Sequence, residues 1–176
     1  MKFQLVDKIV SIEPPTRIVT TKALSLAEEY LKDHFPGFPV MPGVLMIETM
    51  VQAAAWLVRA TTDFAHSMIC LAEVRNIKYG AFVHPGEQLQ VEVEALRIEA
   101  DSAMFKGVGR VAGAGEANVS GRFGLRMYDL VEKHAELADV DRKIRQHYRR
   151  QFVIVGGAAL MGAVAASPGK EPPHAF

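Results

Sequence analysis

Residues 34–48 read HFPGFPVMPGVLMIE and place one histidine, His34, fourteen residues before one glutamate, Glu48. A proline-rich loop separates the two, and an apolar run surrounds the glutamate. A neutral imidazole accepts a proton and a protonated carboxyl donates one, so the two side chains held close together form an acid/base pair. The types and spacing of these residues therefore predict proton-transfer chemistry.

Glu48 lies in a segment of helix-forming, mostly apolar residues. A carboxylate buried there needs a partner, a raised pKa or a wet cavity, because burying an unpaired charge is unfavourable. Gln52 follows one helical turn later and so shares its face. With Thr49, these are the only polar side chains in residues 43–57. The pattern predicts a small polar site that opens onto an apolar cavity; the structural alternative is a hydrogen bond from Glu48 to a neighbouring strand.

The loop before the helix is stiff, because Pro36, Pro39 and Pro42 restrict its backbone. Gly43 follows directly and permits close approach of another group. Such a loop holds His34 in a fixed position and exposes the free N–H groups at the helix start, which stabilise negative charge on a carbonyl oxygen. A base, an acid and an oxyanion site beside an apolar cavity fit one reaction: proton removal next to a thioester carbonyl, with loss of a β-hydroxyl.

The segment HFPGFPVMPGVLMIETMVQ closely resembles the active-site segment of the β-hydroxyacyl-acyl-carrier-protein dehydratases of type II fatty acid synthesis, which have the hotdog fold. The family pattern is HFP-x-x-P-x-MPGV, followed by a helical Glu and by a Gln four residues later. The matching positions are His34, Phe35, Pro36, Pro39, Met41, Pro42, Gly43, Val44, Glu48 and Gln52. The resemblance continues through Pro85-Gly86-Glu87-Gln88-Leu89 and covers residues 1–128.

The resemblance implies a role for each matching residue. His34 is the expected base on the α-carbon, and Glu48, supplied by the other subunit of a dimer, is expected to handle the leaving hydroxyl. The Gly43 N–H would hold the thioester carbonyl, and Val44 and Gln52 are assigned to substrate binding. A glutamate rather than an aspartate at position 48 favours simple dehydration over double-bond isomerisation.

The same resemblance implies the partners. The substrate would be carried on the phosphopantetheine arm of acyl carrier protein, with no further cofactor, and the protein would be a homodimer or higher homo-oligomer with shared active sites. One departure from the family lies before the Pro-Gly turn, where the family often has Phe-Lys-Arg-Pro-Val and this chain has Tyr79-Gly80-Ala81-Phe82-Val83. Carrier docking or tunnel gating is therefore expected to differ.

Two other functions are compatible with parts of this pattern. An acyl-thioesterase of the same fold would also use a helical carboxylate, but it would not need a histidine such as His34, positioned by a proline-rich loop. A non-catalytic acyl-binding or scaffold protein would keep the pocket, but it would not need both His34 and Glu48.

The surrounding elements indicate an α+β protein with an antiparallel sheet wrapped around a central buried helix. The helix is predicted from Gly43 to Ala60, because this run is apolar on nearly all faces. The clearest strand is QLQVEVEAL, which alternates polar and apolar residues. Six strands are predicted, at 3–11, 17–23, 68–77, 88–99, 103–111 and 117–127.

Composition narrows the function classes. Hydrophobic residues make up 49% of the 176 residues, enough for a sizeable core, and 20 basic residues balance 20 acidic ones. The balance argues against a nucleic-acid-binding protein whose whole surface is basic, and it leaves room only for a local basic patch. The single cysteine, Cys70, excludes an intrachain disulfide, and no zinc-type spacing is present. The N-terminal residues do not resemble a signal peptide, which predicts a cytoplasmic location.

Residues 129–176 are predicted to form a C-terminal helical extension and tail outside the 1–128 dehydratase domain. Residues 129–150 are charged and helix-prone, 152–166 are uncharged and apolar, and the last ten are expected to be frayed. The apolar run is shorter than the roughly 20 residues that span a bilayer. We favour packing of this run on the body or on a partner subunit; contact with an anionic membrane surface is the alternative.

Overall fold

The computed structural model describes residues 3–166, with the side chains of 163–166 left aside. Two strands open the chain, β1 (Lys8–Glu13) and β2 (Arg17–Ala23), followed by a 3₁₀ turn (Glu29–Lys32) and the helix α1 (Gly43–Thr61). Four strands come next: β3 (Met68–Tyr79), β4 (Gln88–Ile98), β5 (Ser102–Val111) and β6 (Val119–Tyr128). After two 3₁₀ turns (Leu130–Glu132 and Ala135–Leu137), the chain ends in α2 (Ala138–Ile154) and α3 (Gly157–Ala166).

The six strands form one antiparallel sheet in the order β1-β2-β4-β5-β6-β3, and α1 packs on it. The inward side chains of the strands, such as Val91 and Phe105, are fully buried against Met50 and Leu57 of the helix. α1 is long and apolar enough to cross a membrane, but it is the central helix of this core. The predicted α+β class and buried central helix are confirmed.

A glycine on β5 lets the helix approach the sheet closely. A Cβ placed on Gly107 would lie 2.6 Å from the Met50 sulfur of α1 and 3.1 Å from the Phe123 ring. Interiors are packed so densely that a methyl group cannot be added at such a point without displacing its neighbours. The contact fixes the distance of α1 from the sheet and so helps to set the position of Glu48.

Two predicted elements have wrong boundaries. The first strand begins at Lys8, not at residue 3, because the N–H of Leu5 donates to Gln52 Oε1 of α1 (2.9 Å) instead of to a strand. The helix predicted over 129–150 begins only at Ala138 and continues to Ile154. The predicted frayed tail lies outside the described residues.

One edge of the sheet is covered by the chain and the other is open. The β1 edge is covered, since the N–H of Ile9 donates to the Val155 carbonyl (2.8 Å) just after α2. The β3 edge is a strand of twelve residues with no neighbour on one side among the described residues. Leu71 and Val74 on this strand are exposed apolar residues. Long open edges of this kind are ready to pair with another strand.

The segment after β6 packs against the body of the protein. Phe152 and Val155 belong to the buried core, and Phe152 lies against Trp56 of α1 and Phe64. Arg149 pairs with Asp63 at 2.8 Å. These contacts fit the favoured interpretation of residues 152–166, in which the apolar run packs on protein.

Asp141 of α2 is fully buried and is the main polar anchor of the extension. Its carboxylate accepts hydrogen bonds from Ser67 Oγ (2.5 Å), from the N–H of Leu130 (3.0 Å) and from the N–H of Val131 (2.8 Å). Burial raises the pKa of this carboxyl, but these hydrogen bonds outweigh it, so the pKa lies below its usual range. The arrangement explains why the backbone forms 3₁₀ turns here: its N–H groups already have a carboxylate partner.

Replacing Asp141 by asparagine should lower the melting temperature by about 5 °C, because the amide nitrogen cannot accept the backbone N–H groups. Since the folded-state pKa is depressed, the stabilisation is present above about pH 4 and is lost as the pH falls through the lower folded-state pKa. The difference from wild type should therefore shrink in acid. Thermal unfolding from neutral to acidic pH measures this, with the exposed Asp101→Asn as control; equal effects of both substitutions would contradict the anchor role.

Candidate active site

The Glu48 side chain on α1 is held in place by Gln52, which lies one helical turn later. Gln52 Nε2 donates to Glu48 Oε1 (3.0 Å) and to the Phe3 carbonyl (3.2 Å), and Gln52 Oε1 accepts from the Leu5 N–H. The N-terminal segment therefore fixes the orientation of the Gln52 side-chain amide. The other carboxylate oxygen of Glu48, Oε2, has no protein partner among residues 3–166. A carboxyl held in this way can exchange a proton with a ligand.

The carboxylate faces a cavity of about 480 Å³. Its walls include Val51, Ala55 and Trp56 of α1 and Ile69 of β3. Because Ile69 belongs to the open edge strand, the cavity adjoins the edge at which another strand can pair. Glu48 and Gln52 do open onto a cavity, but the cavity is less apolar than predicted, since Gln4, Arg59 and His147 also line it. The alternative hydrogen bond from Glu48 to a strand is absent from the described residues.

His34 lies in the loop before α1 and is half-buried. Its Nδ1 lies 3.0 Å from the Val40 carbonyl oxygen. A carbonyl can only accept, so Nδ1 carries the hydrogen and the neutral ring keeps Nε2 free to take a proton. The ring packs at 4.3 Å on Phe35, whose positive φ of 60° bends the chain beside it.

The start of α1 exposes free backbone N–H groups, which the predicted oxyanion site requires. No hydrogen bond engages the N–H of Gly43 or of Val44 within the described part of the chain, while the Met41 N–H to Val83 carbonyl bond (2.9 Å) fixes the preceding loop. Tyr79, half-exposed at the end of β3, covers Gly43 closely, and the Val44 side chain is 66% exposed. The tyrosine stands where the sequence departs from the family pattern, and it narrows the approach to these N–H groups.

Gly43→Ala should lower kcat/KM for acyl thioesters about tenfold or more, because small displacements of reacting groups are costly. The new Cβ would lie 2.8 Å from Tyr79 Cε1 and push the ring out of place. Combining it with Tyr79→Leu should restore part of the loss, which a double-mutant cycle measures. Additive losses in the two variants would show that the ring and the glycine act independently.

A single chain does not bring all predicted residues together. Glu48 and Gln52 line the cavity, whereas His34, Gly43 and Val44 lie outside its lining at the start of α1. No hydrogen bond joins His34 to Glu48 within residues 3–166. In the same range, no group of three or more His, Cys, Asp or Glu side chains is arranged to hold a metal ion.

Other residues of the cavity were missed by sequence reasoning. Arg59 of α1 and three residues of α2, His147, Tyr148 and Gln151, form one end of it. The sequence did contain an indication of Arg59, because this residue lies on the same helix face as Glu48, at position i+11 of the i, i+4, i+7, i+11 pattern. The residues of α2 had none, because only the tertiary fold places that helix over the cavity.

Known proteins are similar to this chain in sequence and in fold. Residues 1–120 match the FabA-like domain. The chain is 43% identical over 110 residues to the 3-hydroxyacyl-[acyl-carrier-protein] dehydratase FabZ of Polaromonas naphthalenivorans, covering 61% of this chain and 76% of the relative. It is 33% identical over 123 residues to the enzyme of that name from Symbiobacterium thermophilum, covering 70% and 87%. The dehydratase heterocomplex ApeI:P from Xenorhabdus doucetiae superposes with a TM-score of 0.62 at 17% identity, covering 77% of this chain and 90% of that one.

The structural likeness, at this low identity, defines a fold class, the hotdog fold. The matches in sequence are more specific, and this chain belongs to the FabA-like family. The predicted family and fold are confirmed.

Proposed function

We propose that the protein reversibly dehydrates 3-hydroxyacyl thioesters of acyl carrier protein to trans-2-enoyl thioesters, in fatty acid or related lipid biosynthesis. The observation that carries the proposal is the Glu48 carboxylate, fixed by Gln52 and facing a cavity with partly apolar walls in a chain of this family. The names of the curated relatives support the same reaction.

The proposed mechanism assigns one step to each group. His34 Nε2 removes the α-proton, and the Gly43 N–H stabilises the negative charge on the thioester oxygen. Glu48, protonated, donates its proton to the β-hydroxyl as the C–O bond breaks, so the hydroxyl leaves as water. His34 then returns its proton to Glu48 through solvent, which balances the reaction. Gln52 orients Glu48, and Val44 contacts the substrate at the helix start.

We infer that each active site is completed across a homodimer. His34 lies at the start of α1 outside the lining of the Glu48 cavity, and the cavity adjoins the open β3 edge. Pairing of two β3 strands about a two-fold axis would cover that edge and its exposed apolar side chains. It would also bring a second chain next to Glu48, where its His34 can serve as the base.

The phosphopantetheine arm is proposed to enter beside Tyr79, at the start of α1. Lys78 is exposed next to this tyrosine, and Arg122 is exposed on β6 beside Arg75 of β3, which pairs with Glu73 at 2.8 Å. A row of cations suits an acidic carrier protein. No further cofactor is proposed, and a cytoplasmic location stays a prediction from the sequence.

We further propose that residues 1–128 constitute the dehydratase domain and residues 129–176 an added extension. The family match ends at residue 120, which supports this division. The contacts of Asp141 and Phe152 with the body favour an extension that packs on protein, so we place membrane contact second.

One assay separates dehydration from the alternatives. A crotonyl thioester of acyl carrier protein is offered, and both loss of the double bond and release of free thiol are followed. Hydration without thiol release supports the proposal, since a thioesterase would release thiol and a scaffold protein would do neither. Thiol release without hydration would refute the proposal.

A further inference from the structure

The end of the cavity farthest from the helix start contains a buried cation. Arg59 is only 5% exposed, yet it lines the cavity, and its Nε has no hydrogen-bond partner. No carboxylate forms an ion pair with it among residues 3–166. Burial lowers its pKa to about 10, so the side chain remains charged at neutral pH.

Two aromatic rings offset only part of the free-energy cost of burying the Arg59 cation. The Arg59 guanidinium lies 3.6 Å from the centre of the Tyr148 ring and 5.5 Å from that of Trp56, within cation–π range. These faces attract the cation but offer no acceptor for its N–H groups. A buried guanidinium nitrogen without an acceptor is unfavourable, because it has lost its hydrogen bond to water; among residues 3–166 this holds for Arg59 Nε. An acceptor inside the cavity, preferably a negative one, would therefore interact favourably with Arg59.

The C-terminal extension builds this end of the cavity. Tyr148 and Gln151 belong to α2, and Gln151 Oε1 accepts a hydrogen bond from Gln4 Nε2 (2.7 Å), which joins α2 to the N-terminal segment at the cavity rim. Arg149 and Asp141 fasten the same helix from outside the cavity. The extension thus closes an acyl cavity with a polar end instead of an apolar one.

The spacing along α1 suits a chain-like ligand. Glu48, Gln52, Ala55 and Arg59 lie on one face of the helix, and Arg59 follows Glu48 by about 16 Å along the axis. Between them the walls are mainly apolar, with Val51, Trp56 and Ile69 contributing. An acyl chain whose reacting end lies at Glu48 would run along this wall and present its distal end to Arg59.

We propose that this protein accepts 3-hydroxyacyl thioesters whose distal end carries a carboxylate, and that Arg59 binds that carboxylate beneath α2. The inference rests on the proposed function, which places the reacting end of the chain at Glu48. A carboxylate would supply the missing acceptor, with up to two charge-assisted hydrogen bonds. A methyl terminus would leave the cation buried and unpaired.

The test uses saturated acyl-pantetheines, which have no 3-hydroxyl and cannot be dehydrated. For each of several chain lengths, a methyl-terminated thioester is compared with one that ends in a carboxylate. Trp56 is the only tryptophan of the chain and lines the cavity, so its fluorescence reports binding without turnover. At the length that reaches Arg59, the carboxylate-ended ligand should bind about tenfold more tightly or better.

Variants show whether Arg59 causes the preference. Arg59→Met should abolish or invert it, and Arg59→Lys should keep part of it. Arg150→Met removes an exposed cation of α2 that lies outside the cavity lining, and this variant should keep the full preference. Melting of Arg59→Met should equal or exceed that of wild type, because the variant removes an unpaired buried charge.

Two results would overturn the proposal. One is equal binding of both ligands by the wild-type protein at every length. The other is a preference that survives in Arg59→Met. If Arg59 instead pairs with a carboxylate of a partner subunit, Arg59→Met will weaken the dimer and wild type will show no preference, which also rejects the proposal. Dehydration of a 3-hydroxybutyryl thioester by wild type is scored separately, so failure of the reaction is distinguished from failure of the carboxylate site.

Discussion

His34→Ala and Glu48→Gln should each reduce the rate of 3-hydroxyacyl thioester dehydration by about a hundredfold or more, as loss of a general base or acid usually does. The first variant removes the Nε2 that accepts the α-proton. The second keeps the shape of the side chain and its contact with Gln52, but it can no longer donate a carboxyl proton. Initial rates on acyl-carrier-protein substrates, with thermal unfolding of the same samples, measure the effect.

Two exposed residues serve as matched controls. His134→Ala removes a histidine from a surface turn. Glu99→Gln makes the same substitution as Glu48→Gln, but in the exposed turn between β4 and β5. Both should retain the wild-type rate. An undiminished rate in His34→Ala or in Glu48→Gln, with an unchanged melting temperature, would exclude the corresponding step of the mechanism.

An equal mixture of the two inactive proteins should regain activity once their subunits exchange. If His34 of one chain works with Glu48 of the other, random exchange makes half of the dimers mixed. Each mixed dimer has one intact site and one doubly defective site, so activity should rise to about a quarter of the wild-type level. The dehydration rate is followed during subunit exchange. Native mass spectrometry monitors the exchange, because the two variants differ in mass.

A double variant provides the opposite test. When His34→Ala/Glu48→Gln chains exchange with wild-type chains, every site in a mixed dimer lacks one group, and activity should fall as mixed dimers form. If each site lay within one chain, the wild-type chains would stay active in either partner. Full exchange without recovery in the first mixture and without loss in the second would therefore reject the shared site.

The sequence predicted most where a feature depends on neighbours along the chain. The apolar character of residues 43–60 predicted α1 almost to the residue, because a helix buried on most faces needs nothing polar on them. The alternation in residues 88–96 predicted β4 for a similar reason. The motif from His34 to Gln52 led to the correct family, since its spacing follows from one loop and one helix.

By itself, then, the sequence determined the α+β class, the central helix, the family and the set of candidate residues from His34 to Gln52. Only the tertiary structure decided that Gln52 is bound to the N-terminal segment, that β3 is an open edge, and that α2 closes the cavity over Arg59. The physical reason is distance along the chain. Leu5 and Gln52 are 47 residues apart and Ser67 and Asp141 are 74, so the hydrogen bonds that fix these segments leave no periodic pattern for a sequence to display.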